Sequence, residues 1–143
     1  MVALSKINAG IDETNTVRVS ADIIGSHETI REYGCVFDSG FTGDLALPIE
    51  QVAKIGLMTG GVVTIELADG SLIDAQLFMC QVKIGDITQD ASTIVMGNDI
   101  LVGMGLMAPF DICLRSATSE ALIEPQPAYA NFAGVLHKLS TGY

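Results

Sequence analysis

From Asn15 to Ile24 the chain first alternates between apolar and polar residues, with Val17, Val19 and Ala21 set against Arg18, Ser20 and Asp22. That period of two predicts a β-strand with one face buried. Gly25-Ser26 supplies a turn, and Thr29 to Phe37 reads as the returning strand of a hairpin. Leu45-Ala46-Leu47 is a short strand. Pro48 suits the first position of a helix over roughly Ile49 to Ile55, and Gly56 stops it. Val62 to Leu67 and Leu72 to Ile84 are β-rich runs separated by Ala68-Asp69-Gly70-Ser71. An Asp-Gly pair there predicts a type I′ turn with positive φ at both central residues. The second run is the longer, so the hairpin should project at its tip and join the sheet at its base. Ser92 to Met96 is another strand, closed by Gly97, and Asn98 or Asp99 can cap a short helix ending near Val102. Pro109 to Leu114 is the last strand.

Pro125 and Pro127 mark residues 116–127 as a linker. In the tail, Tyr129, Phe132, Val135, Leu136 and Leu139 recur at near-helical spacing, which suits a packed terminal helix or a frayed end. The expected architecture is all-β: a barrel-like domain over residues 1–115 with a projecting hairpin and one or two short helices, then a linker and tail over 116–143.

The 143 residues are enough for one domain with a moderate core. They are 49% hydrophobic and only 17% charged, so either the core is unusually aliphatic or apolar surface is covered by a partner. The net charge is −10, and the seven Lys and Arg are scattered singly. No stripe of cations could follow a phosphate backbone, which argues against nucleic acid, and the acidity disfavours anionic membranes. Cys35, Cys80 and Cys113 are odd in number, lack Cys-x-x-Cys spacing and lie in apolar runs. They read as buried free thiols in a reducing compartment. Met1 to Lys6 lacks a hydrophobic signal core, and no apolar run reaches membrane-spanning length, so the expected location is cytoplasmic. His27 and His137 are isolated, and no compact ligand cluster suggests a metal or other cofactor. The methionines read as filler for the core or an interface.

The candidate chemistry begins at Asp38-Ser39-Gly40, which follows the apolar run Cys35-Val36-Phe37. A turn beginning with Asp is common, so the neighbours carry the argument. Phe41-Thr42-Gly43-Asp44-Leu45-Ala46-Leu47-Pro48 follows directly, the Asp-Gly hairpin comes next, and Val95-Met96-Gly97-Asn98-Asp99 comes later. In this order, over about residues 15–115, the set resembles the retropepsin-like aspartic peptidases, in particular their small prokaryotic single-domain group. Ser39 stands where Thr is commoner and Asn98 where a bulky apolar residue is usual.

The resemblance implies a retropepsin-like barrel with one lobe per chain. It implies a catalytic Asp38, with Ser39 bracing the active-site loops and Gly40 allowing close backbone approach. Phe41 and Thr42 would lie beside the substrate backbone, Val95 would line a pocket, and Ala68, Asp69, Gly70 and Ser71 would form the tip of a flap. The chemistry needs two carboxylates sharing a proton about one water. Only one Asp-Ser-Gly is present: Asp69 lacks the hydroxyl neighbour and Ile100 follows Asp99. The implied partner is therefore a second copy of the chain, a C₂ homodimer that presents Asp38 twice and acts on a peptide or protein. The alternative is a non-catalytic dimeric module of the same fold that binds peptides or mediates assembly. A metal site built from Asp38, Asp44 and Asp69 is weaker still. Gly103 to Ala108 matches a dinucleotide-binding pattern but lacks the strand before and the helix after that the motif requires. It reads as a flexible connection into the last strand.

Overall fold

The computed structural model describes residues 6–26 and 29–126. The tail beyond Gln126, His27 and His137 lie outside the described residues.

The elements are β1 (Ala9–Ile11), β2 (Val17–Ile24), β3 (Thr29–Phe37), β4 (Leu45–Leu47), α1 (Ile49–Ile55), β5 (Met58–Glu66), β6 (Leu72–Ile84), β7 (Ile87–Val95), β8 (Leu101–Val102), β9 (Phe110–Arg115) and β10 (Glu120–Pro125). Eight strands form one sheet in the order β1-β2-β3-β8-β4-β7-β6-β5. β2 also pairs with β6, through Asp22↔Lys83, Ile23↔Val82 and Ile24↔Gln81. That extra ladder closes the six strands from β2 round to β6 into a barrel, leaving β1 and β5 as flanking strands. Closure satisfies strand edges that an open sheet would expose.

The alternation in β2 places Val19, Ala21 and Ile23 inside, where they meet Cys35, Leu45, Leu47, Ile55, Val82, Ile84, Val102 and Leu106. These residues are almost wholly removed from water. Burying each large aliphatic side chain is worth roughly 1.5–3 kcal/mol, so they carry much of the stability. α1 buries only Ile55. Pro48 stands one residue ahead of the helix in extended backbone, and Gly56, at φ 71°, ends it with an N–H bond to the Val52 carbonyl. Only a residue that tolerates the left-handed region ends a helix cheaply in this way.

Four expectations need correction. Residues 98–102 do not form a capped helix: Leu101 and Val102 are β8, parallel to β3 and antiparallel to β4. Pairing on both sides overrides the local capping preference. The segment 116–127 is not simply a linker, because Ser116–Thr118 is a 3₁₀ turn and β10 pairs along its length with β9. Ala121 and Ile123 of β10 are buried, with Ile123 joining the main core. The β5–β6 turn is not type I′. Gly70 alone has positive φ (85°), its N–H bonds to the Leu67 carbonyl, and Leu67 N–H bonds to the Ser71 carbonyl. This is a three-residue loop with the glycine in the bulge position. Finally, Cys113 is exposed on β9, whereas Cys35 and Cys80 are buried.

β1 joins β2 through a turn organised by Asp12. Its carboxylate accepts hydrogen bonds from the Thr14 hydroxyl, the Thr14 and Thr16 backbone N–H groups, and Arg18 Nε. These bonds, led by the Thr14 hydroxyl, hold Asp12 well below the usual carboxylate range. Among the described residues, no helix is long and apolar enough to cross a membrane.

Candidate active site

β3 ends at Phe37, and Asp38 begins the loop that leads to β4. The Asp38 backbone N–H donates to the Val102 carbonyl at 3.0 Å, so β8 continues the support of β3 up to this residue. The Asp38 side chain is exposed, and its Oδ1 accepts the Gly40 N–H at 2.9 Å. The glycine matters here, since a Cβ at position 40 would lie 3.2 Å from Oδ1. Phe41 N–H returns to the Asp38 carbonyl at 3.1 Å and closes the turn. Ser39 is exposed in the same turn.

A second segment locks this loop from behind. Gly103 N–H donates to the Asp44 carbonyl (2.9 Å), Met104 N–H to Phe41 (2.8 Å) and Gly105 N–H to Gly43 (3.0 Å). Gly103 and Gly105 have no room for a side chain. A Cβ at 103 would lie 2.2 Å from the Gly43 carbonyl oxygen, and one at 105 would lie 2.0 Å from Asp44 Oδ1. The Phe41 ring covers Gly43 and approaches Gly103. The glycine-rich stretch expected to be a flexible connection is instead a close-fitting support for the Asp38 loop. The clue available in the sequence was the alternate spacing of its glycines, which suits backbone approaching backbone.

Beside the loop lies a cavity of about 590 Å³. Its floor is Gly40, Phe41, Thr42, Gly43 and Asp44 from the Asp38 loop, with Ser92, Ile94 and Met96 from β7 and just after it. Its roof is Val63, Ile65, Glu66 and Leu67 from the rising arm of the hairpin, with Leu77 from β6. The hairpin thus stands over the Asp38 loop, and β5 bends at its base through a bulge near Gly61, whose φ is 107°. At the tip, Asp69 Oδ1 accepts from the Ser71 hydroxyl at 2.6 Å and from Ser71 N–H at 2.8 Å. Both bonds, the hydroxyl first, lower the Asp69 pKa.

Gly40, Phe41 and Thr42 therefore share one cavity. Ala68, Asp69, Gly70 and Ser71 form the hairpin tip, and the cavity wall stops at Leu67. Val95 does not line the cavity. Successive strand residues face opposite ways, so Ser92, Ile94 and Met96 reach it and half-buried Val95 does not. The same alternation along Val63, Ile65 and Leu67 was the overlooked signal for the roof. Asp38, Asp44 and Asp69 form no metal-binding group, and no other cluster of three potential ligands occurs among the described residues.

Deeper down, Thr93 is the one buried polar side chain of the described core, and its hydroxyl meets Cys80 Sγ at 3.1 Å. Burial raises the pKa of both core thiols, pushing Cys35 up to about 12.

No family model matches the sequence, and no curated protein is significantly similar to it. Among solved structures, a retropepsin-like aspartic protease from Rickettsia conorii is similar at a TM-score of 0.59 and 19% sequence identity. The match covers 86% of this chain and 95% of that one. The closed barrel, the Asp38 loop under a projecting hairpin and this similarity together establish that the chain has the retropepsin-like fold.

Proposed function

We propose that the chain is one half of an aspartic endopeptidase that works as a twofold homodimer. The observation that carries this reading is Asp38 itself. It is an exposed carboxylate on a loop fixed by five backbone hydrogen bonds, from Asp38, Phe41, Gly103, Met104 and Gly105, and the loop residues that follow it, Gly40 to Asp44, line a hairpin-covered cavity. One carboxylate cannot act as general base and general acid in the same step. A twofold axis beside Asp38 supplies the second, and exposed Met104, bonded to the loop through Phe41, offers apolar surface for such a contact.

In the dimer the two Asp38 carboxylates hold one water and one proton between them, because like charges so close do not both ionise. The ionised carboxylate takes a proton from the water as its oxygen attacks the scissile carbonyl carbon. The protonated carboxyl donates to the carbonyl oxygen, giving a gem-diol. Its collapse breaks the C–N bond, and a proton passes to the leaving amine. Gly40 N–H on Oδ1 fixes the orientation of the carboxylate. Ser39 braces the paired loops, Phe41 and Thr42 flank the substrate backbone, and the hairpin from Ala68 to Ser71 closes to exclude water.

The test joins peptide hydrolysis with sedimentation. Wild type is expected to cleave a peptide library as a dimer, with inhibition by pepstatin, and Asp38→Asn to dimerise without cleaving. Cleavage that survives the substitution, or that is catalysed by a strict monomer, overturns the proposal.

A further inference from the structure

The cavity beneath the hairpin has an uneven lining. Its walls are apolar at Phe41, Leu77 and Ile94, yet a half-buried carboxylate, Asp44, forms part of its floor, and a second, Glu66, lies in its roof. Among the described residues, no Lys, Arg or His lines it. Asp44 is held in place rather than free to swing. Its Oδ2 accepts the Ser92 N–H at 3.0 Å, and its carbonyl accepts Gly103 N–H at 2.9 Å. The space behind Oδ1 is kept by Gly105, where a Cβ would lie 2.0 Å away. A fixed carboxylate sharing a cavity with apolar walls matches a side chain with a long apolar stem and a cationic end. The net charge of −10 favours the approach of such a group and opposes an acidic one.

We infer that this cavity selects a lysine or arginine side chain of a peptide, with the stem against Phe41, Leu77 and Ile94 and the cation on Asp44, assisted by Glu66. The inference rests on reading the cavity as the peptide-binding cleft. Asp44 is then a specificity-determining residue, distinct from Asp38, which reacts. An acidic side chain at the same position meets two carboxylates and no cation, so it is rejected.

The experiment uses the full chain and a degenerate octapeptide library with one position fixed in turn as lysine, arginine, norleucine or glutamate. Binding is measured on the Asp38→Asn protein, so it does not depend on cleavage. Lysine and arginine pools are expected to bind roughly tenfold more tightly than the norleucine pool, and the glutamate pool more weakly than norleucine. Asp44→Asn keeps an acceptor for Ser92 N–H, and in it the lysine-to-norleucine ratio is expected to fall toward one. Glu66→Gln, an exposed change, is expected to reduce the ratio in part. Should Asp44→Asn fold poorly, the wild-type ratio between 50 mM and 500 mM salt serves instead, since a charge-based preference shrinks with salt. Equal binding of the lysine and norleucine pools, or a preference unchanged in Asp44→Asn, overturns the inference while leaving the peptidase proposal standing. Failure of every pool to bind overturns both. A basic preference in binding, with cleavage that survives Asp38→Asn, separates the two in the opposite sense.

Discussion

Gly103 and Gly43 meet through backbone alone: a Cβ on Gly103 would lie 2.2 Å from the Gly43 carbonyl oxygen and 2.7 Å from the Phe41 ring. Neither neighbour can easily yield, because the carbonyl belongs to a loop tied down on both sides. Gly103→Ala is therefore expected to cost about 2–3 kcal/mol. Gly105→Ala presses on the Asp44 carboxylate, which Ser92 N–H holds, and on the Gly43 backbone, and is expected to cost a similar amount. Urea denaturation of both variants measures the two losses. A Gly103→Ala protein as stable as wild type would mean that the support is not tight.

The Asp38 side chain is exposed, and asparagine can still accept the Gly40 N–H at Oδ1. Asp38→Asn should leave stability within about 0.5 kcal/mol of wild type. Peptide hydrolysis should fall about a thousandfold, a loss typical of removing an acid–base group. Parallel melting curves and progress curves separate an inactive protein from an unfolded one.

Cys35 gives an alkaline signature. Burial raises its folded pKa to about 12, from 9.0 for an ordinary thiol. The folded state then holds a proton that the unfolded state has released. The stabilisation is full below about pH 9 and is lost as the pH rises toward 12, with a slope approaching about 1.4 kcal/mol per unit. Buried Cys80 shifts in the same direction and adds to the fall. In Cys35→Ala the decline above pH 9 is expected to be shallower, as measured by denaturation at a series of pH values. In the native protein at neutral pH, iodoacetamide should label exposed Cys113 well before the two buried thiols.

β10 tests where the domain ends. Ile123 is 4% exposed and joins the main core cluster, so Ile123→Ala is expected to cost about 2–4 kcal/mol. A chain ending at Arg115 should be destabilised by at least as much. A truncated protein that melts like the full chain would restore 116–125 to the role of a linker.

Most strands could be read from the sequence because their signals are local. Thr29–Phe37, Leu45–Leu47 and Leu72–Ile84 are β-rich runs bounded by turn residues, and Ile49–Ile55 lies between Pro48 and Gly56. Asp38 and the cavity-lining Phe41 and Thr42 were legible for the same reason. The misreadings occur where distant partners decide. Leu101-Val102 carries helix-capping residues ahead of it but is held between β3 and β4. Pro125 suggested a linker, yet proline is tolerated at a strand end, and here it faces Phe110. Three-residue β1, with Gly10 inside it, left too little pattern to detect. The sequence offered Asp44 only as a member of a weak metal site, and its bond to Ser92, 48 residues away, shows instead that it is fixed in the loop.

The supports of Asp38 lie far along the chain. Val102, Gly103, Met104 and Gly105 contact residues 38–44 across some sixty positions of sequence. During synthesis the Asp38 loop emerges long before these residues exist, so the nascent chain carries this carboxylate without the scaffold that fixes its loop. Long-range closure of this kind is slow and comes late. A partly made chain, or one cut short ahead of Val102, has the loop without its supports, and the two meet only when most of the described domain has been made.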